Sequence, residues 1–362
     1  MLEWLIAQLG ENGALAAAGV LIGLAFGFFA QRSRFCLRSA VIEFARNVTG
    51  GKLTVWLFAF ATAVLATQAL VLAGQFDATD ARQIAARGSL SGAAIGGALF
   101  GVGMILARGC SSRLLVLAAQ GNLRSVMAGL VFAVTAQASW TGALAPLRET
   151  IAAWWTVDGG ASRDLIARSG IGHGGALAFG LIWLLAAIVW ARRQRVPAWG
   201  WAGAIGVGLA IAAAWWVSFA IGQLSFDVHP IQSLSFTGPS AELLTRVLFA
   251  SDRPPTFDLG LIPGVFLGSF IAAALFGELK LEGFAGGASM RRYIAGAVCM
   301  GFGGMLAGGC AVGAGLSGAA VFTMTSWVTL CTMWAGAALT DRLVDQRGGR
   351  LDQALPGQPH PA

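Results

Sequence analysis

One decapeptide is written twice in this chain, 200 residues apart, and it narrows the available folds more than any other feature. Residues 101–110 read GVGMILARGC and residues 301–310 read GFGGMLAGGC. The copies agree at six of ten positions: Gly101/Gly301, Gly103/Gly303, Leu106/Leu306, Ala107/Ala307, Gly109/Gly309 and Cys110/Cys310. Each ends an apolar, glycine-dense run abruptly at Gly-Cys, where glycine permits a positive φ and the close approach of another backbone. Apolar runs recur along the whole chain, near 14–31, 53–74, 91–107, 124–145, 174–191, 199–217, 260–278, 293–307 and 325–341. Stretches of about 20 such residues are the length a bilayer requires of a helix. The reading is an all-α polytopic membrane protein with about nine transmembrane helices.

A second repeated element lies at nearly the same offset. Aligning residues 31–40 with 232–241 pairs Gln31 with Gln232, Phe35 with Phe236, Ser39 with Ser240 and Ala40 with Ala241, and sets Cys36 opposite Thr237. Residues 14–145 and 199–341 are therefore read as duplicated halves, with a helix at 174–191 between them. A displacement of five spans, an odd number, turns the second half over in the membrane. Inverted repeats with helices broken at the midplane are an architecture of transporters. Irregular backbone at that depth must be buried in protein or line a cavity. Close helix packing by small residues accounts for Gly101, Gly103, Gly301 and Gly303. It does not account for a thiol at the end of both copies. The apolar stretches that follow, Leu114–Ala119 and Ala311–Ala320, are too short to span and read as re-entrant segments.

Composition agrees. The chain is 56% apolar and only 11% charged, far below the quarter that soluble domains carry. Its net charge of +7 is read as positive-inside bias, and no basic-aromatic module remains for nucleic acid. With the N-terminus outside, 17 of the 24 Lys and Arg fall on the cytoplasmic side and seven on the other. The expected topology is thus N-terminus periplasmic and C-terminus cytoplasmic. The start, MLEWLIAQLGENG, has no basic n-region and is not expected to be a cleaved signal. Residues 1–350 form one expected membrane domain. Residues 146–172 are expected to lie along the outer interface with Trp154 and Trp155 as anchors, and 351–362 to be a disordered tail.

Cys36, Cys110 and Cys310 all sit where a predicted span breaks. Any one of them alone reads as a small buried hydrophobe; three at break points, two related by the repeat, point to use. A thiol is a weak donor with a polarizable sulfur and suits a soft or sulfur-containing solute. Arg32, Arg34 and Arg38 flank Cys36, and Arg108 and Arg113 flank Cys110, either as topology determinants or as guides for an anion. Gly308 replaces Arg108 in the second copy, so the path is expected to be asymmetric. Gly109, Gly309, Gln31, Gln232, Thr237 and Ser240 complete the candidate path, as turn formers, donors or helix caps. The three His offer no ligand spacing on one helix, so neither a metal nor a cofactor is expected. No G-x-x-x-x-G-K-[ST] is present to bind ATP.

The segments GFFAQRSRFCLRSA, GMILARGCSSRLL, SLSFTGPSAELL and GMLAGGCAVGAGLSG together resemble the YeeE/YedE family of bacterial inner-membrane proteins, over roughly residues 15–340. The resemblance implies an hourglass-like fold whose pseudo-symmetric halves meet through re-entrant loops. It implies thiosulfate uptake, with three functional cysteines matching Cys36, Cys110 and Cys310. These would pass the anion along a cysteine relay of transient S–H hydrogen bonds, without a large rocking motion. It also implies a separate small sulfur-carrier protein of the TusA type. Three other readings stand beside it. One keeps the transporter with another sulfur or selenium compound as solute. Another is a membrane thiol oxidoreductase or sulfurtransferase, for which C-x-x-C and a nearby His are missing. The last is a structural membrane scaffold.

Overall fold

A computed structural model describes residues 2–346 apart from 49, 226, 228, 250–253 and 284–286. The elements run, in order, α1 (Leu2–Ser33), α2 (Leu37–Ala45), α3 (Gly51–Leu72), α4 (Arg82–Ala85), β1 (Gly88–Ser89), α5 (Leu90–Leu106), α6 (Ser111–Ala119) and α7 (Leu123–Trp140). They continue with α8 (Ala145–Ala153), β2 (Thr156–Val157), α9 (Leu165–Ser169), α10 (Gly172–Gln194), α11 (Ala198–Leu224), α12 (Thr237–Phe249), α13 (Phe257–Leu275), α14 (Gly287–Leu306) and α15 (Met324–Thr340). Each of the nine apolar runs is a helix. Among the described residues six helical spans are long and apolar enough to cross a bilayer, and α7 with α8, bent by 65° at their junction, would make a seventh if the pair is one span. The architecture is all-α and polytopic. β1 and β2 form a two-residue antiparallel ribbon between the ends of α5 and α8.

Large apolar side chains cover the outside: Leu181, Ile182, Leu185 and Val189 of α10, and Phe266, Phe270 and Ile271 of α13, are exposed. On a water-facing surface such patches drive association; in a bilayer they meet lipid. α10 is the most peripheral of the candidate spans, with only Ala176, Gly180 and Ala187 buried, and packs on α3.

The core is held by backbones in contact. α1 packs against α13, α11 against α3, α5 against α15, α14 against α7, and α1–α11 and α5–α14 cross between these pairs. The decapeptide glycines make the last crossing possible. A methyl group at Gly103 would lie 2.5 Å from the Gly296 carbonyl oxygen, and one at Gly303 2.7 Å from that of Gly96. Gly101 and Gly301 face outward from this pair, onto the backbones of α15 (Met333, Ala337) and α7 (Phe132, Ala136). Small residues let membrane helices approach this closely and gain dispersion contacts that lipid cannot match.

Lys- and Arg-rich ends gather on one face. There Arg46 pairs with Asp341 at 2.7 Å, Arg292 and Arg38 with Asp345, and Arg124 with Glu282. On the opposite face Arg163 donates to Thr325 Oγ1 at 2.7 Å, tying the 156–170 connection to the start of α15. α8, which precedes that connection, buries none of its residues, and Trp154 and Trp155 are exposed. The expected tail at 351–362 lies outside the described residues.

Candidate functional site

Three helices break in the same way. α1, α5 and α14 each end in a residue of positive φ: Arg34 (52°), Arg108 (55°) and Gly308 (75°). The next residue donates its N–H to the carbonyl five positions back: Phe35 to Ala30, Gly109 to Met104, Gly309 to Gly304. This is the Schellman closure of a helix C-terminus. Cysteine follows in every case. The carbonyl of Cys36, Cys110 or Cys310 then accepts the first bond of the next helical segment, from Ala40, Leu114 or Ala314. The left-handed conformation costs an arginine about 1–2 kcal/mol and glycine nothing, so Gly308 is the unstrained version of Arg108. The segment after Cys310 is a π-helical turn, Gly313–Gly318, a form common at functional sites.

All three sulfurs are buried, and none is in a disulfide. Cys36 and Cys110 are brought together, close enough for each thiol to act on the other. Ser112 Oγ lies 3.4 Å from Cys110 Sγ. Cys310 is placed differently. Its sulfur accepts from the backbone N–H groups of Phe236 (3.3 Å) and Gly313 (3.4 Å). Thus the break before α12 and the break after α14 meet at one sulfur.

The remaining sequence candidates scatter around these two centres. Thr237 opens α12, with Phe236 in the capping position that Cys36 holds before α2. The Thr237 hydroxyl is buried without a hydrogen-bond partner among the described residues, beside Gly304. Ser240 bonds through its N–H to the Phe236 carbonyl. Gln232 is buried, its N–H bonded to Ser218 Oγ. Gly109 and Gly309 lie inside the breaks. Arg108 is exposed and sits near Arg38. Cys331 is exposed, in an aromatic-lined groove, and Cys299 is half-buried.

Sequence reading missed three features of the site. Arg113, read only as one of several flanking arginines, is the cation whose field acts on both thiols of the Cys36–Cys110 pair. Its place three residues after Cys110, on the turn that the cysteine opens, was the available signal. Glu278 accepts from Gln31 Nε2 at 2.7 Å and from Arg32 Nη1 at 3.1 Å. Nothing in the sequence marks a partner 247 residues away. On the opposite face Glu11, Asp227 and His229 place ligand atoms within 4.8 Å of one another. Glu11 and His229 pair there at 3.5 Å.

Comparison with known proteins covers nearly the whole chain. The sequence pattern of a family described as "Sulphur transport" matches residues 32–339. The chain is similar to the thiosulfate transporter TsuA of Escherichia coli (strain K12), at 26% identity over 94% of this chain and 99% of the relative. It is also similar to the thiosulfate transporter TsuA of Spirochaeta thermophila, at 28% identity over 86% of this chain and 93% of the relative.

Proposed function

Because the chain belongs to the sulphur-transport family, we propose that it is a transporter that brings thiosulfate across a bacterial inner membrane along Cys36, Cys110 and Cys310. The observation that carries this reading is the gathering of two buried thiols, from the breaks of α1 and α5, into one neighbourhood, in a chain aligned almost end to end with thiosulfate transporters. A thiol can donate S–H to a terminal sulfur or oxygen and accept in return. Each such bond is weak, so a solute is held well enough to enter and loosely enough to leave, the balance that conduction requires. Positive charge from Arg113 compensates part of the cost of bringing a dianion to the thiol pair. Thr237 supplies an unused hydroxyl beside the second centre, with Gln31, Gln232 and Ser240 as further donors along the path and Gly109, Gly309 and Arg108 shaping the breaks.

The architecture we propose is an hourglass of two inverted repeats, 14–145 and 199–341, with nine spans and α10 as link. It is supported by the paired packing. α1 on α13 is answered by α11 on α3, α5 on α15 by α14 on α7, and α2 on α3 by α12 on α13. Gly96 meets Gly303 as Gly296 meets Gly103, the reciprocal contact of a two-fold axis. The gathering of cations on one face supports an N-terminus in the periplasm and a C-terminus in the cytoplasm. A separate TusA-like carrier is the proposed acceptor there.

Growth on thiosulfate as sole sulfur source tests the reading, in a strain without its own sulfate and thiosulfate uptake. Expression of this chain is expected to restore growth. Cys36→Ser, Cys110→Ser and Cys310→Ser, at matched membrane levels, are expected to abolish or strongly slow it. Rescue by all three variants would refute the thiol path.

A further inference from the structure

The geometry points to a second anion subsite next to the thiol pair, built from Gln31, Arg32, Arg34 and Arg113 and filled in the resting protein by the carboxylate of Glu278. A cavity of about 220 Å3 opens on the basic face, lined by Gln31, Arg34, Arg113, Gln120 and Glu278 among others. Glu278 is the anion inside it. Its Oε2 accepts from Gln31 Nε2 at 2.7 Å, and its Oε1 accepts from Arg32 Nη1 at 3.1 Å and faces Arg34 Nη2 at 3.7 Å.

The donors are arranged without help from the carboxylate. The Arg32 guanidinium lies 3.6 Å from the Phe276 ring centroid and 5.5 Å from that of Trp199, so cation–π contact fixes it. Gln120 Nε2 donates to Gln31 Oε1, which turns the Gln31 NH2 toward the cavity. Arg34 is set by the left-handed break of α1. Arg113 Nη1 is buried and has no hydrogen-bond partner among the described residues. Its charge acts most strongly on Cys36, then on Cys110, and more weakly on Glu278. An unused guanidinium donor between two thiols and a bound carboxylate is a handover point. The other charged groups on the cavity wall are Lys280 and Glu282, and Glu282 is already paired with Arg124.

Three guanidinium groups against one carboxylate leave the subsite short of negative charge, and a small dianionic oxyanion supplies it. Arginine forks bind such oxygens as they bind a carboxylate. Glu278 is thus a tethered competitor. The arriving anion displaces it from Gln31 and Arg32, and its return helps to expel the anion. The affinity is thereby kept low enough for release. The solute class rests on the function proposed above; the subsite and its competitor rest on these contacts.

Titration calorimetry of the purified full chain with sodium thiosulfate, and with sodium sulfate as a second anion, tests the subsite. Glu278→Gln removes the competing charge and keeps a similar shape; it is expected to bind thiosulfate about two- to fivefold more tightly, the scale of one partly exposed charge interaction. Glu278→Asp is expected to stay near the parent. Arg34→Gln, on an exposed side chain, is expected to weaken binding about fivefold and to cancel the gain in the double variant. Tighter binding of both anions by Glu278→Gln would support the subsite whatever the physiological solute. Equal or weaker binding by Glu278→Gln, or an unchanged affinity in Arg34→Gln, would overturn it. If the parent rescues growth on thiosulfate while those affinities do not move, the subsite fails alone. If the parent neither rescues nor binds thiosulfate while Glu278→Gln gains affinity for sulfate, the thiosulfate reading fails and the subsite stands.

Discussion

Cys310 does two jobs that a single substitution can separate. Its sulfur is the acceptor for two N–H groups inside the core, from Phe236 and Gly313, and its own S–H is left to donate elsewhere. Cys310→Ala strands both N–H groups, at about 1–3 kcal/mol for each buried donor left unpaired. The purified variant is expected to melt well below the parent in a thermal-shift assay. Cys310→Ser keeps an acceptor and is expected to melt close to the parent while losing uptake. Equal melting of parent and Cys310→Ala would mean that the sulfur is not an acceptor. The repeat marked this residue as one that ends a helix; its partner was not legible. Phe236 lies 74 positions away and contributes a backbone group, which carries no sequence signal.

Helices in this protein meet through glycine faces, and α1 with α13 is the closest case. Gly19, Gly23 and Gly27 of α1 interlock with Gly260, Gly264 and Gly268 of α13. A methyl group at Gly23 would stand 2.6 Å from the Leu261 carbonyl oxygen, and a backbone cannot turn away as a side chain can. Gly23→Ala is therefore expected to destabilise by about 1–3 kcal/mol, read as a lower melting temperature. Gly129→Ala, where nothing lies within 4 Å, is expected to be neutral or slightly stabilising, since alanine favours the helix. Hydropathy placed all nine of these helices because length and apolarity are local properties. It placed their ends less well: α11 runs to Leu224 and α14 starts at Gly287, against expected limits of 217 and 293. The π-helical form of 313–318 was not legible. It depends on contacts such as Ser317 Oγ to the Leu234 carbonyl at 2.7 Å, made by a distant segment.

The molecule as a whole is polarised in charge and paired in packing, and the two properties were legible to different degrees. Counting Lys and Arg predicted a basic face, and the ion pairs at Arg38, Arg46, Arg124 and Arg292 lie there. The reciprocal meeting of Gly96 with Gly303 and Gly103 with Gly296 was not predicted, because a decapeptide match shows similarity and not contact. That seam has a kinetic meaning. A carrier that alternates between two shapes must return empty after each delivery, and solute on the far side hastens the return. Surfaces that touch through carbonyls and Cα atoms have no side-chain rotamers with which to accommodate such a slide. Proteoliposomes preloaded with unlabelled thiosulfate are accordingly expected to take up radiolabelled thiosulfate no faster than empty ones. Trans-acceleration would show that the seam opens with every turnover; its absence fits a passage whose walls stay still while the solute moves.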